Sequence, residues 1–142
     1  MSASALAGNE PLIPVAPELF VRDIDASLRF YTEDLGFTAL RREPYFAVVA
    51  LGDAHVLLAL PYDELPGVRE WLASGPRGVG VSVRIMVDGV DVMYRRALAS
   101  GTRVVQHIGD REYELRDFTI ADPDGFFLRF AAPVATGRGT KP

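Results

Sequence analysis

Cysteine is absent from the 142-residue chain, which excludes disulfides, thiolate metal sites and cysteine nucleophiles. A fold that needs no disulfides needs no oxidising compartment, so a cytoplasmic location is expected. Long apolar runs are also missing. The longest, Phe46 to Leu51, stops at Gly52-Asp53, far short of the roughly 20 residues that span a bilayer. The opening MSASALAG carries neither a basic side chain nor a long apolar segment and does not read as a signal peptide. There is no basic stripe either: the net charge is −4 and the pI about 5.1. The adjacent basic pairs are Arg41-Arg42 and Arg95-Arg96, and the second falls on a predicted helix as a solvated face. Neither nucleic acid nor a membrane is therefore an expected partner. No G-x-S-x-G elbow and no glycine-rich phosphate loop occurs. The DPDG at 122–125 lacks the ligand spacing of a calcium loop and reads as a tight turn.

What is present is an ordinary globular balance, 49% apolar and 24% charged residues, at a length that suits one domain. Within it lies an internal repeat. PELFVRDIDASLRFYTEDLGFTAL (17–40) echoes VRIMVDGVDVMYRRALASGTRVV (83–105), aligning Val21 with Val87, Asp25 with Asp91 and Gly36 with Gly101. GDAHVLLAL (52–60) likewise parallels DPDGFFLRF (122–130).

In each copy a short apolar strand enters an acidic turn, a helix follows, and a glycine ends it. Asp23 or Asp25 caps the first helix, and Ile24, Leu28, Tyr31 and Leu35 form its apolar face. Asp88 opens the second, with Val90, Met93 and Ala97 inward and Gly101 as the stop. A linker helix is expected over 63–73 with Leu65, Val68 and Leu72 inward. Strands are expected at 17–22, 37–42, 45–51 and 54–60, then at 81–87, 102–107, 112–121 and 126–131. The fold class is α+β: two βαβββ modules, about 15–61 and 80–132, forming a cupped mixed sheet with helices on the outer face. Residues 1–14 and 133–142 lack periodicity and read as a flexible N-terminus and tail.

PELFVRDIDASLRFYTEDLGF and YELRDFTIADPDGFFLRF, in this order around a repeat, resemble the opening and closing modules of the vicinal oxygen chelate superfamily of glyoxalases, bleomycin resistance proteins and dioxygenases. The resemblance covers about residues 15–132 and implies a homodimer whose clefts both chains complete. Its metal-dependent members place His or Glu at four positions that correspond here to Ala16, Ala59, Ser82 and Arg129. Alanine has no donor atom and arginine no lone pair to give, so neither a metal nor another cofactor is expected. His55 and His107 are too few for a two-His, one-carboxylate iron site and read as unrelated histidines.

Strand alternation then selects the cleft wall. Glu18, Phe20, His55 and Leu57 face it from the first module, and Arg84, Met86 and Arg129 from the second, with Tyr113 at the rim. Leu19, Val21, Val83, Ile85, Leu128 and Phe130 take the opposite, core side. The wall suits a planar or amphipathic organic molecule whose anionic group the guanidiniums hold; alternatively, Glu18 pairs with Arg84 or Arg129. Tyr45, Tyr113 and Phe118 form a ring-stacking cluster or, for Phe118, core. Trp71 is a lid or a packing residue at the module junction.

Three functions fit. A metal-independent protein that sequesters or carries a small organic compound leads, since sequestration needs affinity and no catalytic ligand. A lyase, isomerase or dioxygenase-like enzyme with an unusual site is the alternative. A domain whose cup is filled by its own side chains and serves as an interaction module is the third.

Overall fold

The computed structural model describes residues 10–62 and 66–134. The chain divides into two compact units, 1–65 and 66–142, built on one plan. In the first, β1 (Glu18–Phe20) leads to α1 (Ile24–Arg29), which continues as a π-helical turn over Phe30–Asp34. β2 (Thr38–Glu43), β3 (Phe46–Leu51) and β4 (Ala54–Ala59) follow. In the second, α2 (Val68–Ala73) precedes β5 (Ser82–Met86), α3 (Val90–Ala99), β6 (Arg103–Asp110), β7 (Leu115–Ala121) and β8 (Phe127–Pro133). The strand orders are β1-β4-β3-β2 and β5-β8-β7-β6. In each sheet the first strand runs parallel to the last and the other pairs are antiparallel. These are the two βαβββ modules that the repeat implied.

Local signals explain the helices. The Asp23 side chain accepts from the Ala26 N–H at 3.0 Å, satisfying one amide that the first turn leaves free. Asp25 instead pairs with Arg42 at 3.2 Å. Gly36 and Gly101 take φ of 85° and 73°, the left-handed geometry that stops each helix. The expected Asp88 cap does not form. α3 starts at Val90 with Gly89 at the cap position, so Asp88 lies one residue too early.

α1 and α3 each cover one face of the sheet in their unit. Ile24, Leu28, Tyr31 and Leu35 are buried in the first unit, as are Leu19, Val21, Ala47, Val49, Val56 and Leu58 from the strands. In the second, Val90, Met93 and Ala97 join Ile85, Phe118, Ile120, Leu128 and Phe130. Phe118 stacks on Phe130 at 5.4 Å and meets the Tyr94 ring edge-on at 5.1 Å. Phe118 is therefore core, not part of a rim cluster with Tyr45 and Tyr113, which are 62% and 51% exposed.

Three expectations are corrected. The linker helix is shorter than 63–73: it runs Val68–Ala73 and buries none of its residues, so Val68 and Leu72 do not point into a core; Leu65 lies outside the described residues. Trp71 is 76% exposed and is not a packing residue. The strand expected at 112–121 begins only at Leu115, because β6 extends to Asp110 and a hairpin loop occupies 111–114. That loop closes through Arg111 N–H to the Leu115 carbonyl at 2.7 Å and puts Glu114 at φ 70°. Asp122 Oδ1 accepts from the Asp124 and Phe126 amides at 2.9 and 2.8 Å, which makes DPDG the expected turn into β8. No helix among the described residues is long and apolar enough to cross a membrane.

Candidate ligand-binding site

The sheet face turned away from α1 carries the first module's candidates. Opposed residues in a ladder share a face. The register sets Glu18 beside Leu57 and Val48, Phe20 beside Ala59 and Phe46, and His55 beside Ala50. Glu18, Phe20, His55 and Leu57 thus do lie on one face. Phe46, Val48 and Ala59 form its buried apolar patch, with Phe20, Leu40 and Leu57 packed against them. Glu18 accepts from the Tyr62 hydroxyl at 3.3 Å, and the Tyr62 ring meets Phe20 edge-on at 5.8 Å. His55 is only 7% exposed.

The same face holds a cluster that the sequence did not disclose. Arg41 stands opposite Val48 and is buried. Its guanidinium meets the Glu10 carboxylate at 3.1 Å and Glu43 at 2.9 Å. Burial alone would lower the Arg41 pKa, but the hydrogen bonds and charges of Glu10 and Glu43 outweigh it and raise the value.

On the second sheet the corresponding face is cationic. Arg84 and Arg129 are register partners on adjacent strands, and Met86 lies two residues along from Arg84. Thr119 flanks Arg129 on β7, and Asp117 stands two residues from Thr119, beside Ala131. Asp117 is fully buried. Its Oδ1 accepts from Arg111 Nε at 2.7 Å; its Oδ2 accepts from the Tyr113 hydroxyl at 2.7 Å and from Arg129 Nη1 at 2.9 Å. Arg129 Nη1 also reaches the Tyr113 oxygen at 3.2 Å, with the guanidinium carbon 5.7 Å from the Tyr113 ring centroid. Arg111 Nη2 donates to the His107 carbonyl at 2.7 Å and the Asp117 carbonyl at 3.0 Å. Gly109 lets that guanidinium lie against the strand, since a Cβ there would come within 3.1 Å of Arg111 Nη1.

The arrangement fixes the charges. Burial pushes the Asp117 carboxyl up, but the hydrogen bonds from Arg111, Tyr113 and Arg129 and the Arg111 charge prevail and hold it below its ordinary value. The Tyr113 hydroxyl is pushed up, first by its hydrogen bond to Asp117 and then by burial and that carboxylate's charge, with Arg129 opposing. At neutral pH Tyr113 is thus a neutral donor, and Asp117 an anion between two guanidiniums.

Within its own unit each of these charged groups has a partner: Arg129 pairs with Asp117, and Glu18 bonds Tyr62. Asp117 and Arg111 were absent from the sequence-derived wall. The available signal was a carboxylate inside an apolar strand, between Leu115 and Ala121, which a fold tolerates only with partners. His107 is exposed and shares a 2.6 Å hydrogen bond with the Tyr94 hydroxyl.

The four places that carry metal ligands in metal-dependent relatives do not fit a metal here. Ala16 and Ala59 offer no donor, Ser82 a lone hydroxyl, and Arg129 a cation committed to Asp117. Among the described residues no group of three or more His, Cys, Asp or Glu is placed to hold a metal ion.

Known proteins share the sequence pattern and the fold. The sequence model of the Glyoxalase/Bleomycin resistance protein/Dioxygenase superfamily matches residues 13–130. A bleomycin resistance protein of Geobacillus stearothermophilus is 32% identical over 126 residues, covering 80% of this chain and 92% of its own. One from Staphylococcus aureus MRSA252 matches to the same extent. Among solved structures, a glyoxalase/bleomycin resistance protein/dioxygenase from Nocardioides superposes with a TM-score of 0.68 at 26% identity, over 92% of this chain and 89% of its own. TioX from Micromonospora sp. ML1 shares the fold with a TM-score of 0.69 at 24% identity, over 84% and 97%.

Proposed function

The chain belongs to the glyoxalase/bleomycin resistance protein/dioxygenase superfamily, and on that premise we propose that it is a metal-independent binding protein that sequesters or carries a small organic compound. The observation that carries this reading is Arg129, a guanidinium salt-bridged to a buried Asp117 at a place where metal-dependent relatives have a ligand. A cation held there by a 2.9 Å ion pair repels a second cation, and its fork of N–H groups recognises oxygen atoms instead. Binding alone suffices to keep a toxic compound from its target, and the relatives at 32% identity are named for resistance to one, bleomycin. We place the protein in the cytoplasm as a two-fold homodimer, the closed symmetry that most soluble oligomers take.

A native mass spectrum of protein purified without chelator tests the reading. The expected result is a dimer mass, no stoichiometric transition metal, and a shift on adding a bound organic compound, with bleomycin as the first probe. One metal ion per chain that chelator removes overturns the metal-independent reading. A monomer at micromolar concentration overturns the assembly.

A further inference from the structure

Three guanidiniums and one carboxylate meet on the sheet of the second unit. Arg84 and Arg129 are register partners on adjacent strands, and Arg111 and Arg129 share Asp117. Asp117 neutralises one of the three charges, so the face keeps an excess of positive charge in a chain whose net charge is −4. Glu112 and Glu114 are exposed in the hairpin loop, off the strands. Arg116 faces the other side, where Asp91 and Asp110 hold it at 2.8 and 3.1 Å. Among the described residues Arg84 has no hydrogen-bond or ion-pair partner, and Arg129 uses only Nη1. The Nε–Nη2 edge of Arg129 is thereby left over, which is the side-on fork that matches the two oxygens of a carboxylate.

The neighbours of the arginine row are apolar. In-register pairs place Phe127 beside Ser82, one step along the face, and Met86 beside Ala131, one step the other way. Phe127 is 38% and Met86 46% exposed. Placing like charges side by side costs free energy, as does leaving large apolar side chains in water. A ligand with an oxyanion and an apolar body relieves both at once.

We propose that this face is a binding site for an aromatic or amphipathic carboxylate, with its oxygens on Arg84 and the Nε–Nη2 edge of Arg129 and its apolar body against Met86 and Phe127. Asp117 and Arg111 are positioning residues: they fix the Arg129 guanidinium so that one edge is spent internally and the other is presented. The Tyr113 ring, 5.7 Å from the guanidinium carbon, limits its swing. The inference rests on the small-molecule reading and names the chemistry of its ligand; it competes with a cationic ligand anchored on Glu18.

The test uses benzoate and benzamidine, an aromatic anion and a cation of similar shape, titrated into nitrogen-15-labelled protein while the arginine Nε–H signals are followed. Benzoate is expected to move the Arg84 and Arg129 signals saturably, and benzamidine to leave them in place. Arg84→Gln, on an exposed side chain, should weaken benzoate at least about tenfold, the lower end for a hydrogen bond to a charged group, and Glu18→Gln should not. Signals that move with benzamidine alone, or benzoate affinity that survives both Arg84→Gln and Arg129→Gln, overturn the anionic site. So does a larger loss from Glu18→Gln than from Arg84→Gln. These failures leave the small-molecule reading standing, because that reading is judged by the compound bound in the native mass spectrum.

Discussion

Replacing Asp117 by Asn keeps the shape of the most heavily engaged buried side chain on the second sheet and removes its charge. The carboxylate accepts three hydrogen bonds at 2.7–2.9 Å, two of them from guanidiniums. An asparagine whose oxygen still accepts from Tyr113 and Arg129 turns its N–H₂ on Arg111, so one charge-assisted bond is lost outright and the other two lose the carboxylate's charge, together the equivalent of about two charge-assisted bonds. Each is worth about 1.5–3 kcal/mol. The Arg111 and Arg129 side chains are 21% and 28% exposed and regain water when released, which favours the lower end. The expected loss is therefore about 3 kcal/mol at pH 7, a fall in melting temperature on the order of 10 °C.

The pH dependence gives an independent check. Asp117 is held below the ordinary carboxylate value in the folded state, so its contribution is complete above the unfolded-state value and is lost as pH falls through the folded one. Asp117→Asn has no such group to protonate. Urea unfolding of both proteins should show the gap between them shrinking as pH falls below the ordinary carboxylate range. A gap under about 0.5 kcal/mol at pH 7, the size of an unremarkable surface substitution, would refute the argument, as would a gap that stays constant with pH.

Two further substitutions probe the backbone that frames this face. Gly78 sits at φ 79°, and a Cβ there would lie 2.8 Å from the Gly125 carbonyl oxygen and the Phe126 Cα, so Gly78→Ala should cost more than about 2 kcal/mol in urea unfolding, the left-handed penalty plus a backbone clash. Glu114, a non-glycine residue at φ 70° in the β6–β7 loop, should give the opposite sign: Glu114→Gly is expected to raise the unfolding free energy measured in urea by about 0.5–1 kcal/mol.

The sequence by itself determined the modules, because their signals are local. A period of two puts Leu19 and, just past the end of β1, Val21 on one side and Glu18 and Phe20 on the other, and the same rule sorted Ile85 from Arg84 and Met86. Helical spacing chose Ile24, Leu28, Tyr31 and Leu35, and a short polar side chain at Asp23 or Asp25 marked the start, with the structure selecting Asp23. Glycines marked the stops because only they take positive φ without cost. The shared plan of the units followed from the repeat, since like patterns fold alike. Element boundaries were less legible: Gly89, not Asp88, takes the cap position of α3, and β7 starts at Leu115 rather than Glu112 because an extended β6 set the hairpin loop.

Tertiary structure alone decided who pairs with whom. Asp117, Arg111 and Arg129 come together through the β6–β7 hairpin and the β7–β8 register, and nothing in the order of residues states a register between strands. Arg129 could be placed on the cleft face by alternation, but its partner could not be named, and Glu18 was the nearest acid that the pattern offered. Arg41 and Glu10 are 31 residues apart in the chain, so their buried pair likewise leaves no periodic trace. Charge pairing acts over a few ångströms in space with no fixed spacing in sequence, whereas burial acts through the repeat of the strand or helix itself.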